Sequence, residues 1–365
     1  MSLTEGQREW LRIREYLRRD RHDLGQSAAQ EYPDLLRAGG TALLTRPEWL
    51  PTAPLPLDAI DLEFTPGAPI TGVDGTGPLT ASVRPERPDG SRHPTYSTAM
   101  ADLAAPAVFE NRSTYRLLDA DLSGPRGRLV FGRGRYFDGA DVGEAVAHEY
   151  AVARLTGTDT PLRVAIGNPC ELRRRPVNIG IAALTVRRDR VTGDGTFLLH
   201  WRDPAKVGHA GGTFMVVPVG IFQAIDDQPG NEHNDFSLWR CLLREYAEEL
   251  LGASEDYQGD QVDYDNWPFA ARMTTALRSG LISAHVLGLG VDPLTFATDL
   301  LVRVEFDAAL FDEIFAGIVA SNAEGRLIGA GHRGLPFTPD QVRQLVGRRS
   351  MQPAGAAALI LAAGG

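Results

Sequence analysis

The stretch Trp239-Arg240-Cys241-Leu242-Leu243-Arg244-Glu245-Tyr246-Ala247-Glu248-Glu249-Leu250-Leu251-Gly252 decides how this chain folds. It lacks proline, ends on a glycine and spaces its apolar residues at helical intervals. This predicts a helix over about 235–251, with Leu238, Cys241, Leu242 and Leu250 packed on a sheet. Glu245, Glu248 and Glu249 stand at i, i+3 and i+4, so they share one face. Carboxylates this close repel one another unless a cation lies among them. Mg²⁺ suits such a place, because it keeps several waters and is held by one or two carboxylates together with substrate phosphates. Arg244 is positioned to orient or neutralise the cluster. The plainer reading of the same spacing is a solvated face on which Arg244 pairs with Glu248.

Outward from this helix, Arg173-Arg174-Arg175-Pro176 marks a fresh start. Residues 177–186, 196–201 and 213–219 read as strands suited to antiparallel pairing, and 300–306 as a further strand. Towards the N-terminus, Thr4-Glu5-Gly6-Gln7 has the form of a capping box. Trp10, Ile13 and Leu17 follow at helical spacing, so a first helix should reach about residue 19. Its arginines interleave with Glu9, Glu15 and Asp20, the pattern of a solvated face or a domain contact. A second helix is expected over 27–37, stopped by Gly39-Gly40. Dense prolines between 46 and 95 forbid long helices there. Tyr115-Arg116-Leu117-Leu118 and Arg128-Leu129-Val130-Phe131 form a hairpin about Ser123-Gly124-Pro125, and 138–155 is helical. The resulting division is a helical segment 1–45, an α+β accessory unit 46–158, a domain 176–345 and a tail 346–365.

Composition narrows the function. At 365 residues the chain exceeds one ordinary domain of ~100–200 residues. Its 43% hydrophobic and 23% charged content is globular. A net charge of −10 speaks against a general nucleic-acid binder, which needs a basic surface. Cys170 and Cys241 are too few for a disulfide framework or a zinc ribbon. No run reaches the ~20 apolar residues of a membrane span, so a cytoplasmic protein without membrane contact is expected. Smaller signals have plain readings: His148-Glu149 a helix-surface pair, Gly132-Arg133-Gly134 and Gly288-Leu289-Gly290 turns, Cys170 a half-buried thiol.

The segment Arg244-Glu245-Tyr246-Ala247-Glu248-Glu249 resembles the Arg-Glu-apolar-x-Glu-Glu heart of the Nudix box, the loop–helix–loop signature of hydrolases that act on nucleoside diphosphates linked to another moiety. Pro218-Val219-Gly220 resembles the strand and glycine loop before that helix, so the resemblance spans 176–345. Counted back from Arg244, the box glycine falls at Gly230 and its acid at Phe236, where no acid stands. Alternatively Gly220 is the box glycine, Gln223 replaces the acid, and about ten residues including Asp226-Asp227-Gln228-Pro229-Gly230-Asn231 are inserted. The second alignment is preferred, because Pro218-x-Gly220 ends a strand. The closing glycine, Gly252, comes one place late.

The resemblance implies an α+β fold, a mixed sheet flanked by helices, preceded here by a smaller α+β unit. It implies that Glu245, Glu248 and Glu249 hold Mg²⁺ or Mn²⁺, with Arg244 beside them, and that a phosphoanhydride is hydrolysed. Gly220, Gln223, Phe222 and Trp267 are the expected substrate contacts, and Glu232, His233, Asp256 and Asp292 the candidates for a general base. The competing expectation is a catalytically inactive sensor or scaffold for the same kind of ligand, a small nucleotide-like molecule. The accessory unit would shape the pocket or a homodimer contact.

Overall fold

Thr4 caps the first helix as its spacing dictates: its hydroxyl accepts the Gln7 amide at 3.2 Å, and the Gln7 side chain accepts the Thr4 amide at 3.0 Å. The computed structural model describes residues 3–106, 109–203, 211–253, 261–321, 325–329, 334–348 and 350–364. Helices α1 (Glu5–Arg19) and α2 (Arg21–Ala29) come first. The second helix thus lies upstream of the expected 27–37, where residues 36–37 are already strand and Gly39 turns with φ 58°. Short strands β1 (Leu36–Arg37), β2 (Leu44–Thr45) and β3 (Leu55–Pro56) precede β4 (Ile60–Phe64), α3 (Pro78–Ala81) and α4 (Tyr96–Leu103). The expected hairpin is β5 (Ser113–Asp121) and β6 (Gly127–Arg135), followed by α5 (Tyr136–Thr156) and α6 (Pro161–Ile166). The second half carries β7 (Ile179–Arg188), β8 (Gly195–Phe197), β9 (Leu199–Arg202), β10 (Phe214–Val216), β11 (Val219–Ile221), α7 (Pro229–Asn234) and α8 (Leu238–Leu251). Then come α9 (Pro268–Arg278), β12 (Ile282–Val291), β13 (Thr298–Asp307), α10 (Ala308–Ile314), β14 (Gly325–Ile328), β15 (Leu335–Pro336), α11 (Pro339–Arg348) and α12 (Pro353–Gly364).

The fold is α+β. Its main sheet runs β1-β2-β12-β13-β7-β8-β15, with β3 also on β12 and β11 also on β7. The sheet is mixed rather than antiparallel throughout: β7 and β13 run parallel in register from Ile179↔Thr298 to Arg188↔Asp307. Strand β7 is buried on both faces, which is why it reads as an unbroken apolar run. Ile179, Ile181 and Ala183 face the core under α8, and Ala182, Leu184 and Val186 face α12. Residues 346–365, read as a tail, therefore supply a sheet-covering helix whose alanines and Leu359 are buried. Two smaller sheets, β10-β9-β14 and β4-β6-β5, complete the strands.

One buried cluster joins Trp10, Leu117 and Val146 to Ile181 and Leu300, so apolar packing continues across the linker after residue 158. The arginine-bearing helix α1 makes a contact with α5: Arg14 lies 2.9 Å from Glu144 and 3.2 Å from the Tyr96 hydroxyl. His148 and Glu149 are not a surface pair. Both are buried; Tyr96 meets His148 at 2.9 Å, and Glu149 accepts the Leu162 and Arg163 amides at the start of α6. The two Gly-x-Gly pieces lie inside β6 and β12 and are not turns. A Cβ on Gly134 would stand 2.9 Å from that of Arg116, and Gly288 sits at a bulge. Cys170 is fully buried, which pushes its thiol up to about 12. Among the described residues no helix is long and apolar enough to cross a membrane.

Candidate active site

Helix α8 begins at Ser237, whose hydroxyl accepts the Arg240 amide at 3.4 Å, and ends at Gly252 in the left-handed region. Leu238, Cys241, Leu242, Tyr246 and Leu250 are buried beneath it, each such side chain contributing ~1.5–3 kcal/mol. Arg244 is only 4% exposed and does not turn to the glutamates. It lies 3.3 Å from the fully buried Asp235, donates to the Tyr264 hydroxyl at 2.5 Å and to the Gln223 carbonyl at 2.6 Å. Tyr264 in turn donates to Asp235 at 2.7 Å. The acid missing at Phe236 is thus supplied one residue earlier by Asp235. Phe236 instead joins Tyr115, Phe131 and Phe222 in an aromatic cluster.

The three glutamates separate. Glu249 is buried; one carboxylate oxygen accepts the Val219 amide at 2.6 Å and the other lies 3.3 Å from His200 Nδ1. Glu245 stands directly over Gly220, where any Cβ would overlap its carboxylate. Glu245 and Glu248 line a cleft of about 320 Å³ together with Gly220 and Gln223. Four of the expected residues therefore meet, while Glu249 is turned into the fold. Among the described residues no three His, Cys, Asp or Glu side chains are grouped closely enough to hold a metal ion.

Other expected residues fall elsewhere. Phe222 is fully buried, its ring 4.6 Å from Tyr115, and has no face for a ligand. Trp267 packs with Tyr264 and Phe269 at the start of α9, off the cleft wall. Glu232 pairs with Arg133 at 2.6 Å, and His233 lies on α7; neither lines the cleft. Asp256 lies outside the described residues. Asp292 does line it, one oxygen accepting the Leu294 and Thr295 amides.

Asp299, which the sequence reading missed, lines the same cleft opposite Gly180. Its carboxyl accepts no hydrogen bond among the described residues, and burial, then Asp292, push it up to about 7. An acid opening an otherwise apolar strand, Thr298-Asp299-Leu300-Leu301, was the available signal. The described walls carry five carboxylates, Glu110, Glu245, Glu248, Asp292 and Asp299, against the two guanidiniums of Arg112 and Arg202. That imbalance favours a bound cation or retained protons.

The inserted residues form α7 and dock on the β5–β6 hairpin. Arg133 grips Glu232 through two bonds of 2.6 and 2.7 Å, and Arg135 reaches Asp227 at 2.7 Å. Between insertion and hairpin lies a second, larger cleft of about 510 Å³. Compared with known proteins, the chain matches no family model and no curated protein.

Proposed function

We propose that this chain is a Nudix-like, divalent-metal-dependent hydrolase that cleaves a phosphoanhydride in a nucleoside diphosphate-linked compound. The observation that carries the reading is the meeting of Gly220, Gln223, Glu245 and Glu248 on one carboxylate-rich cleft. Glu245 and Glu248 fit Mg²⁺ or Mn²⁺, since such ions need only one or two carboxylates when phosphate and water complete the shell. The absence of a side chain at Gly220 leaves the room that Glu245 occupies. Glu249 acts as a strut holding the Val219 amide. A divalent cation, when bound, supplies charge neutralisation at the phosphates and a lowered pKa for water. Arg112 and Arg202 offer planar forks to phosphate oxygens. Asp292 and Asp299 are the cleft carboxylates left to accept the proton of the attacking water, Asp299 with a pKa near neutrality.

The test is product release from a panel of nucleoside diphosphate sugars, dinucleoside polyphosphates and nucleotide cofactors, with and without Mg²⁺ or Mn²⁺. Metal-dependent turnover that Glu248→Gln abolishes supports the hydrolase. The second reading, an inactive sensor of a nucleotide-like ligand, is favoured by the withdrawal of Glu249 from the cleft. It predicts a raised Tm with such a compound and no turnover on any of them.

A further inference from the structure

We infer that the larger cleft is a subsite for a polyhydroxylated glycosyl group, which makes nucleoside diphosphate sugars the substrate class. This rests on the hydrolase reading for the place of the diphosphate. Continuity is the first ground. Arg112, Tyr136 and Gln223 line the acidic cleft, while their chain neighbours Ser113, Arg135 and Ala224 line the larger one. The two clefts share a wall, built where Thr114 bridges Gln223. A group attached to a phosphate in the first has a single wall to cross.

Chemistry is the second ground. Arg133 and Arg135 are each tied to an acid of the insertion, which leaves Asp138 and Asp226 as the cleft's unmatched carboxylates. Asp138 uses Oδ2 to accept the Arg135 amide at 2.7 Å. Asp226 uses Oδ1 to accept the Gln228 amide at 2.8 Å and the Asn231 side chain at 2.7 Å. The other oxygen of each accepts no hydrogen bond among the described residues. One stands at the start of α5 and one on the insertion, so an occupant between them must be rich in hydrogen-bond donors and free of negative charge. The half-exposed Ile70 and Pro229 add apolar surface for the C–H face of a sugar ring. At about 510 Å³ the cleft falls within the range of small-ligand pockets. An amine would offer the same donors, and the test separates it.

Calorimetric affinities in Mg²⁺ are to be measured for UDP-glucose, ADP-glucose, UDP, ADP and CDP-ethanolamine on the wild type, Asp226→Asn and Ile70→Trp. Asp226→Asn keeps Oδ1 for the loop and removes the spare acceptor. Ile70→Trp fills the cleft from an exposed position. Both variants are expected to weaken a sugar nucleotide about tenfold, the worth of one charge-assisted bond, and to leave UDP and ADP unchanged. Equal effects on sugar nucleotides and free diphosphates, or none on either, overturn the subsite. A loss confined to CDP-ethanolamine overturns the glycosyl assignment in favour of an amine. Sugar-dependent binding without product release upholds the subsite and defeats the hydrolase reading, whereas absence of binding by all five compounds defeats both.

Discussion

Asp299→Asn is expected to stabilise the protein above neutral pH and to lose that advantage near pH 4. Burial and the neighbouring Asp292 raise the carboxyl from 3.8 to about 7. A carboxyl that holds its proton more tightly in the folded chain stabilises the fold fully below its unfolded pKa. That stabilisation is lost as the pH rises through the folded value, because the buried group must then carry charge. At 1.36 kcal/mol for each pH unit between the two values, the charge costs the wild type about 4 kcal/mol at pH 8. Asparagine keeps the shape and carries no charge at any pH. Urea unfolding of both proteins in EDTA, extrapolated to water, should show the advantage of the variant growing by about 2–3 kcal/mol from pH 5 to pH 8. A difference that is flat with pH, or that shrinks as the pH rises, would refute the placement of an unbonded carboxyl against a dry wall.

A methyl group on Gly220 would collide only with the flexible end of Glu245. Gly220→Ala should therefore change stability by no more than about 1 kcal/mol while lowering hydrolysis roughly 100-fold, and a matching collapse of Tm would contradict this. Asp235→Asn leaves Arg244 buried without its carboxylate and should cost about 3–5 kcal/mol in denaturant unfolding. A loss below about 1 kcal/mol would mean that Tyr264 and the Gln223 carbonyl suffice. Phe222→Ala should cost about 3–5 kcal/mol as a core deletion, whereas Trp267→Ala should leave the KM of every substrate unchanged. A KM altered by Trp267→Ala would return that ring to the site.

The quoted helix was legible because its apolar period is a local property, and the strand before it because an unbroken apolar run fits a strand covered on both faces. What the spacing could not tell is which neighbour covers each position of a helix face. Glu249 shares its face with Glu245, yet it lies against β9, where His200 and the Val219 amide engage it. A small offset hid the acid partner of Arg244. The helix starts at Ser237 rather than at 235, so Asp235 stays in the preceding turn and swings inward, while Phe236 goes to the aromatic cluster. Helix α12 escaped because its alanine-rich sequence is apolar all round and has no stripe to detect, the signature of a buried helix. Strands β1 to β3 span two residues each, too few for any alternation to register.

The insertion and the accessory hairpin are two halves of one wall, and this changes where selectivity resides. An extra loop of this length costs little chain entropy once its ends are fixed. Its ion pairs to Arg133 and Arg135 are solvent-exposed and contribute at most about 1 kcal/mol each. The attachment is held instead by the packing of Phe236 and Phe222 on Tyr115, by the Tyr115 hydroxyl donating to the Glu232 carbonyl at 2.8 Å, and by the bridge between Thr114 and Gln223. The ion pairs then fix the register of the two walls rather than their adhesion. Because Arg112 and Tyr136 reach into the acidic cleft from the same hairpin ends, neither cleft belongs to the box-bearing half alone. The carboxylates on α8 determine what kind of chemistry the site can support, and residues 112–138 determine which molecule is held there long enough to undergo it.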